Sequence, residues 1–178
     1  MKISNYIIAV FAIVILAGTL GLYIDAKHHS PDGSLETKEY ALPEWSVMVA
    51  TGVNGLSIEG DGKNGWTVSS RKGDTISNDW YQIEGDTLFV RSRPAASDVR
   101  LHVGDLTSVI AMEKSTLYLN RIKTKNLKIV SDDSSVQIFD SQIDLMEVQL
   151  SNQSRMYANR NIRKLVMEKD SSSKYSLY

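Results

Sequence analysis

The chain carries two unlike hydrophobic patterns. Tyr6 to Ile24 reads YIIAVFAIVILAGTLGLYI, and no charge falls between Lys2 and Asp25. A membrane-spanning helix needs ~20 apolar residues, at ~1.5 Å rise each, to cross ~30 Å of hydrocarbon. The run meets that length, with Tyr6 and Tyr23 near its two ends, where amphipathic rings favour the interface. Lys2 precedes it and Asp25 follows, so the positive-inside rule predicts a cytoplasmic N-terminus and export of everything beyond residue 25. A cleaved signal peptide is the competing expectation. It calls for an apolar core of ~7–15 residues and a small-x-small site. This run is longer, and Thr19-Leu20-Gly21 and Ile24-Asp25-Ala26 match the site poorly. The expectation is therefore an uncleaved anchor over residues 1–25.

From residue 45 the pattern shortens to period-two alternation, the mark of a half-buried strand. Leu56-Ser-Ile58, Trp66-Thr-Val68, Leu88-Phe-Val90 and Val99-Arg-Leu101-His-Val103 show it, and Ile83 falls in another such run. The joints are Gly60-Asp61-Gly62, Asn64-Gly65, Gly73-Asp74 and Gly85-Asp86, all turn formers. No helical period with caps is sustained from 45 to 178. Between the two patterns, residues 26–44 hold His28, His29, Pro31, Gly33 and Pro43, which is linker chemistry. The predicted organisation is an anchor (1–25), a linker (26–44) and an exported all-β domain (45–178).

The second half repeats, most clearly over 106–178. VIAMEKSTLYL (109–119), KIVSDDSSVQI (128–138), VQLSNQSRMYA (148–158) and MEKDSSSKYSL (167–177) can be written over one another. Ser115, Ser134, Ser154 and Ser173 align at separations of 19, 20 and 19, followed by Leu117, Val136, Met156 and Tyr175. Ile122, Ile143 and Ile162 recur between the segments. A period near 20 with internal alternation predicts stacked coils, each burying its apolar face against the next. A meander or sandwich would need hairpin turns, yet 109–178 contains neither glycine nor proline. The predicted fold is a single-stranded parallel β-helix, or solenoid, with coils of about 20 residues, preceded by one transmembrane helix. In this alignment Lys128 breaks the column of Val109, Val148 and Met167, and Lys169 breaks that of Ala111, Val130 and Leu150. For Lys128 the expectation is a slipped register, with Leu127 and Ile129 filling the core. For Lys169 it is a stem that packs while the ammonium escapes at the polar end of the last coil.

Composition narrows the chemistry. There is no cysteine, which removes disulfides, thiolate zinc sites, a thiol nucleophile and a lipid-anchor cysteine. The formal net charge of −1 gives no electrostatic case for nucleic acid. Three histidines leave little for a metal centre, and His28-His29 has no companion ligands nearby. A nucleophilic serine needs a histidine within reach, and His102 is the one histidine beyond the linker. The four serines are better explained by hydroxyls that bond the corner backbone. Asp132-Asp133 is the one paired carboxylate in the repeats, but Glu113-Lys114, Asn152-Gln153 and Ser171-Ser172 at the equivalent corners do not sustain its acidity. Gly60 to Gly65 lacks the Gly-Lys-Ser/Thr ending of a phosphate loop and the carboxylate spacing of a calcium loop, and predicts a hairpin turn. No catalytic, cofactor-binding or metal-ligating residue is assigned, and the binding residues are left unassigned.

The phrase Val/Leu-x-apolar-x-x-x-Ser-x-apolar-x-apolar resembles the head domain of bacterial auto-transporter adhesins, the GIN domain. Ile83-Glu-Gly-Asp-Thr-Leu88-Phe-Val90 resembles that family's strand before its repeats, and Leu101-His-Val103 with Leu106-Thr-Ser-Val109 resembles its entry into them. The family writes glycine at the corner, where this chain has Glu113, Asp132, Asn152 and Ser171. The resemblance covers roughly Val53 to Leu177 and implies an exported β-helix-like solenoid of the envelope. The leading expectation is a membrane-tethered, non-enzymatic binding or adhesion-type module of the bacterial cell envelope. It would be single-pass in the inner membrane, N-terminus in, with the C-terminal domain in the periplasm. The expected partners are the membrane, through the N-terminal helix, and an envelope protein, a glycan or a second copy through the tyrosine-bearing C-terminal coil. Nucleic acid and cofactors are not expected. Two alternatives stay open: a β-helix enzyme acting on envelope polysaccharide, and an extracytoplasmic partner of a membrane signalling system.

Overall fold

The alternating runs become strands in a computed structural model that describes residues 35–71, 79–92 and 98–178. The apolar run Tyr6–Ile24, the His28-His29 pair and the Gly73-Asp74 joint lie outside those residues. Among the described residues no helix is long and apolar enough to cross a membrane. Residues 36–178 form one unit.

The strands of the first half are β1 (Leu35–Ala41), β2 (Val47–Thr51), β3 (Asn54–Gly60), β4 (Gly65–Arg71), β5 (Tyr81–Glu84), β6 (Thr87–Val90) and β7 (Asp98–Val103). The second half supplies β8 (Ser108–Met112), β9 (Thr116–Asn120), β10 (Lys123–Asp132), β11 (Ser135–Phe139), β12 (Gln142–Ser151), β13 (Arg155–Ala158), β14 (Ile162–Lys169) and β15 (Lys174–Leu177). They form two sheets, ordered β1-β4-β7-β3-β9-β11-β13-β15 and β14-β12-β10-β8-β2-β6-β5. Both contribute apolar faces to one core, including Met48, Leu56, Trp66, Leu101, Val109, Leu117, Ile129 and Val148. The all-β class expected from the alternation is therefore what the chain adopts.

The winding differs from the expected one in two ways. Pairing is parallel along β2, β6 and β8 and throughout the repeats, but antiparallel between β4 and β7 and between β5 and β6. The β5–β6 reversal is the Gly85-Asp86 joint, where Gly85 takes φ +61°, a conformation glycine adopts without a Cβ clash. The strands also do not stack in chain order. β2 and β3 lie mid-sheet, with β6 and β7 on one side and β8 and β9 on the other.

Within the repeats the serine period holds and the apolar columns shift. Thr116 pairs with Ser135, Ser135 with Arg155 and Arg155 with Lys174, which are the separations of the serines beside them. In the other sheet Val109 pairs with Ile129, Ile129 with Val148 and Val148 with Met167, so Lys128 and Val130 leave the columns. The columns are Val109–Ile129–Val148–Met167 and Ala111–Ser131–Leu150–Lys169, with Leu127 and Ile129 buried as the slipped register requires. The displacement comes from the Asp132-Asp133 corner, which is one residue shorter than its counterparts. Glu113-Lys114 and Asn152-Gln153 each spend two residues at positive φ, whereas only Asp133 does so in the shorter corner. Glu113 and Asn152 thus take the left-handed conformation at positions where the resembling family places glycine. Ile122 likewise pairs outside the expected isoleucine column, since its N–H donates to the buried Ser141 hydroxyl at 3.0 Å.

The serines close these corners. The Ser134 hydroxyl accepts the Ser115 N–H at 3.1 Å, and that of Ser154 accepts the Ser134 N–H at 3.3 Å. Ser115 Oγ accepts the Val53 N–H at 3.1 Å and donates to Met112 O at 2.6 Å. Each of these three hydroxyls ties neighbouring layers of the sheets together and satisfies a buried amide that the strand ladder leaves open.

The ends differ. Leu35–Ala41, inside the span expected to be linker, forms β1 at the edge of the eight-stranded sheet beside β4. Its Tyr40 ring stacks on Trp66 at 4.2 Å and 12°, and Trp80 meets Trp66 edge-on at 5.3 Å. At the other end β14 and β15 are edge strands, with Val166 and Leu177 45% exposed. Lys169 ends its column exposed, and its ammonium donates to Ser173 O at 3.2 Å. Tyr178 turns back along the sheet, where its hydroxyl donates to Ile138 O at 2.9 Å.

Candidate functional site

The segment expected to be a hairpin turn builds the site instead. Gly60 ends β3 and Gly65 begins β4, but β7 lies between those two strands, parallel to β3 and antiparallel to β4. Residues 61–64 therefore cross over the end of β7. A Cβ on Gly60 would stand 2.7 Å from Arg121 O, so the crossover requires glycine where it leaves β3. The Asn64 side chain pins it by accepting the Gly104 N–H at 3.1 Å, and Asp61 turns back to accept the Lys63 N–H at 3.2 Å.

Alternation sets which side chains meet there. In β4, Trp66, Val68 and Ser70 are buried, so Thr67 faces outward; in β7, Val99, Leu101 and Val103 are buried, so His102 faces outward. Gly65 is directly opposite His102 and Thr67 opposite Arg100, which makes Thr67 and His102 diagonal neighbours within side-chain reach. Thr67 Oγ1 lies 3.0 Å from His102 Nε2, and His102 Nδ1 lies 2.7 Å from Asp61 Oδ2. The carboxylate holds the imidazole by one nitrogen and thereby orients the other toward the hydroxyl. On the neighbouring strand Glu59, paired with His102 in register, is 8% exposed and holds Arg121 at 2.8 Å and Asn120 at 3.2 Å.

β1 supplies the opposite wall. Asp61, Lys63, Thr67 and His102 line a cleft of about 320 Å³ together with Glu39 and Tyr40. The Tyr40 ring itself stacks on the buried Trp66, on the face of the sheet opposite Thr67 and His102, so the polar side chains and not the ring face the cleft. The close approach of β1 depends on Gly65, where a Cβ would fall 2.5 Å from Tyr40 O.

Apart from His102 and the Gly60–Gly65 segment, the residues singled out in the sequence lie elsewhere. Ser115, Ser134, Ser154 and Ser173 are buried at the corners, away from the cleft. Glu113 and Asp133 are exposed, and Asp132 accepts the Ser151 hydroxyl and the Asn152 amide, a tie between successive repeats. His28 and His29 lie outside the described residues, and among the described residues no group of three or more His, Cys, Asp or Glu is placed to hold a metal ion. Asp61 and Thr67 had no signal of their own: Asp61 and His102 are 41 positions apart and meet only because β7 inserts between β3 and β4.

The strongest electrostatic perturbation is structural and sits at the last corner. Asp170 is held well below the usual carboxylate range by the Ser173 side chain, then by the Asn152 N–H, with desolvation opposing and Ser172 and the Ser173 N–H assisting. Its carboxylate accepts the Asn152 N–H at 2.7 Å and the Ser173 N–H at 2.8 Å. Burial, and then the nearby Asp140 carboxylate, push the Tyr178 phenol up.

No family model matches the chain, and no curated protein matches it. Among solved structures, a candidate lipid-binding protein from Parabacteroides distasonis is similar at 13% identity and a TM-score of 0.46, covering 81% of this chain and 76% of its own. A candidate adhesin from Parabacteroides merdae is similar at 9% identity and a TM-score of 0.36, covering 83% and 97%. Another from Bacteroides fragilis is similar at 10% identity and a TM-score of 0.31, covering 83% and 99%.

Proposed function

We propose that the chain is a membrane-tethered, exported, non-enzymatic binding module of the bacterial envelope, a β-helix that takes its ligand in the cleft between β1, β4 and β7. The observation that carries this reading is the cleft: Glu39, Asp61, Lys63 and His102, four charged or titratable residues, line about 320 Å³. That volume is at the lower end of the ~300–1,000 Å³ usual for ligand pockets. The solenoid reading is supported by strands that alternate between the two sheets from β7 to β15, in registers of 19 and 20. The tether is supported by the uncharged run Tyr6–Ile24 between Lys2 and Asp25.

The test is binding of the full-length protein to purified envelope fractions from bacteria: sacculi, capsular polysaccharide and membrane vesicles. Saturable binding that Lys63→Ala and His102→Ala each weaken supports the reading. Binding that both variants retain, or none to any fraction, overturns it.

One observation favours a second reading. Hydroxyl, imidazole and carboxylate stand in the order of a nucleophilic relay, Thr67 to His102 to Asp61. Steady hydrolysis of p-nitrophenyl acetate that Thr67→Val abolishes would establish it, and equal rates in both proteins would remove it.

A further inference from the structure

We propose that the outer edge of β14 is a self-association surface, on which a second copy of the chain lays its own β14 antiparallel about a two-fold axis at Val166. The inference goes beyond the cleft, which lies beside β1, at the opposite end of the strand order from β15. The two ends are built differently. Where β4 and β5 lie, Trp66 and Trp80 are buried. At β14 the inward columns run out. Leu127 and Met146 are buried, and Leu165, next in register, is half-buried. Ile129 and Val148 are buried, and Met167 after them is half-buried. Of the five large hydrophobic side chains that stay exposed among the described residues, Tyr157, Val166, Leu177 and Tyr178 belong to this end.

β14 pairs with β12 on one side and with no strand on the other among the described residues. Its outer row of N–H and C=O groups is therefore open to a further strand. Alternation restricts how that strand can join. Leu165 and Met167 face the core, whereas Lys164, Val166 and Glu168 face outward and are exposed. Residues directly opposite one another in an antiparallel pair share a face. A two-fold axis midway between two residues would set inward against outward positions, so the axis must pass through a residue.

Of the residue-centred registers, the one at Val166 is matched on both faces. It sets Leu165 opposite Met167 of the second copy on the inward face, and Val166 opposite Val166 on the outward face. Lys164 falls opposite Glu168, and the symmetry makes that charge pair twice. An axis at Leu165 would set Lys164 against Val166, and one at Met167 would set Glu168 against Val166. Glu168 accepts the Gln149 amide with Oε2 at 3.4 Å and keeps Oε1 for the ammonium. Lys169 falls opposite Arg163, but its ammonium is drawn back onto Ser173 O at 3.2 Å. The edge is complementary to itself, which argues for a second copy over an unrelated strand.

The experiment measures the monomer–dimer equilibrium of the full-length protein in detergent by analytical ultracentrifugation. Lys164→Glu sets carboxylate against carboxylate at both symmetric positions and should weaken the dimer at least about tenfold. Adding Glu168→Lys to Lys164→Glu exchanges the two charges and should restore it. The chain has no cysteine, so Val166→Cys carries a single thiol. Across the axis the two Cα atoms would stand ~4.5–5.5 Å apart, within the span of a disulfide. Mild oxidation should therefore link Val166→Cys into a covalent dimer. Lys125→Cys, equally exposed but on the interior strand β10, should stay monomeric under the same oxidation. A monomer at every concentration would overturn the proposal. So would a dimer that Lys164→Glu leaves unchanged and that gives no link at Val166→Cys, since its contacts lie elsewhere. A link at Val166→Cys without rescue by the charge exchange would overturn the register. An edge that stays monomeric alone and captures a different envelope protein would assign β14 to that partner and also overturn it.

Discussion

Two buried serines in one stretch of the repeats should respond to the same substitution with opposite signs. Ser131 and Ser154 are both fully buried. Ser154 Oγ accepts the Ser134 N–H at 3.3 Å and donates to Ser131 O at 2.8 Å and Ser151 O at 2.6 Å. Ser154→Ala strips these contacts and strands the Ser134 amide, and a buried group left unpaired costs ~1–3 kcal/mol. Ser131 occupies an inward column between Ala111 and Leu150, and its hydroxyl has no hydrogen-bond partner among the described residues. Ser131→Ala removes a desolvated hydroxyl and leaves the Ser131 carbonyl, the acceptor for Ser154, in place. A buried hydroxyl without a partner costs ~1–3 kcal/mol on mutational scales, and the expected gain is about 1 kcal/mol. For a chain of this length 1 kcal/mol moves Tm by ~2–4 °C. Ser154→Ala should therefore melt roughly 4–8 °C below the wild type and Ser131→Ala roughly 2–4 °C above it. Calorimetry on the full-length chain, with urea melts to confirm unchanged m-values, reads both. Shifts of the same sign, or a loss of stability in Ser131→Ala, would refute the account of which hydroxyls tie the coils together.

Other changes probe the edge strand and the last corner. Gly65→Ala should push β1 away from β4, because its Cβ would fall 2.5 Å from Tyr40 O. The near-ultraviolet circular dichroism of the Tyr40–Trp66 stack should fall, while stability falls only ~1–2 kcal/mol since β1 is an edge strand. Asp170 has a depressed folded-state pKa, so its stabilisation is present above the unfolded carboxylate pKa of ~3.9 and lost as pH falls through the folded value. Thermal melts of Asp170→Asn should lie below the wild type at neutral pH and converge with it only in strong acid; a gap that is constant with pH would contradict the assignment.

The local pattern made the strands legible. Alternation at Leu56-Ile58, Trp66-Val68, Leu88-Val90 and Val99-Val103 marked β3, β4, β6 and β7, and Gly85-Asp86 marked the one reversal that glycine makes easy. The serine period reproduced the register of β9, β11 and β13 because the Ser134 and Ser154 hydroxyls each accept the amide of the serine one repeat before, so the serine spacing is the strand register. The apolar columns of the other sheet were legible only to within one residue. A slip of one place exchanges inward and outward positions, and the short Asp132-Asp133 corner introduces that slip where Ser131 occupies an inward place and Val130 does not. The linker composition of residues 26–44 concealed β1, since Tyr40 earns its place by stacking on Trp66, 26 positions away.

By itself, the sequence determined the all-β class, many of the strands beyond residue 45 and the spacing of the repeats, because burial alternates locally and the corner serines recur. Only the tertiary structure decided that β7 enters between β3 and β4, that residues 61–64 cross above it, and that Asp61, Thr67 and His102 meet there. The physical reason is that strands pair through backbone N–H and C=O groups, which are the same at every residue. A strand's alternation states which face it buries but not which neighbour it joins.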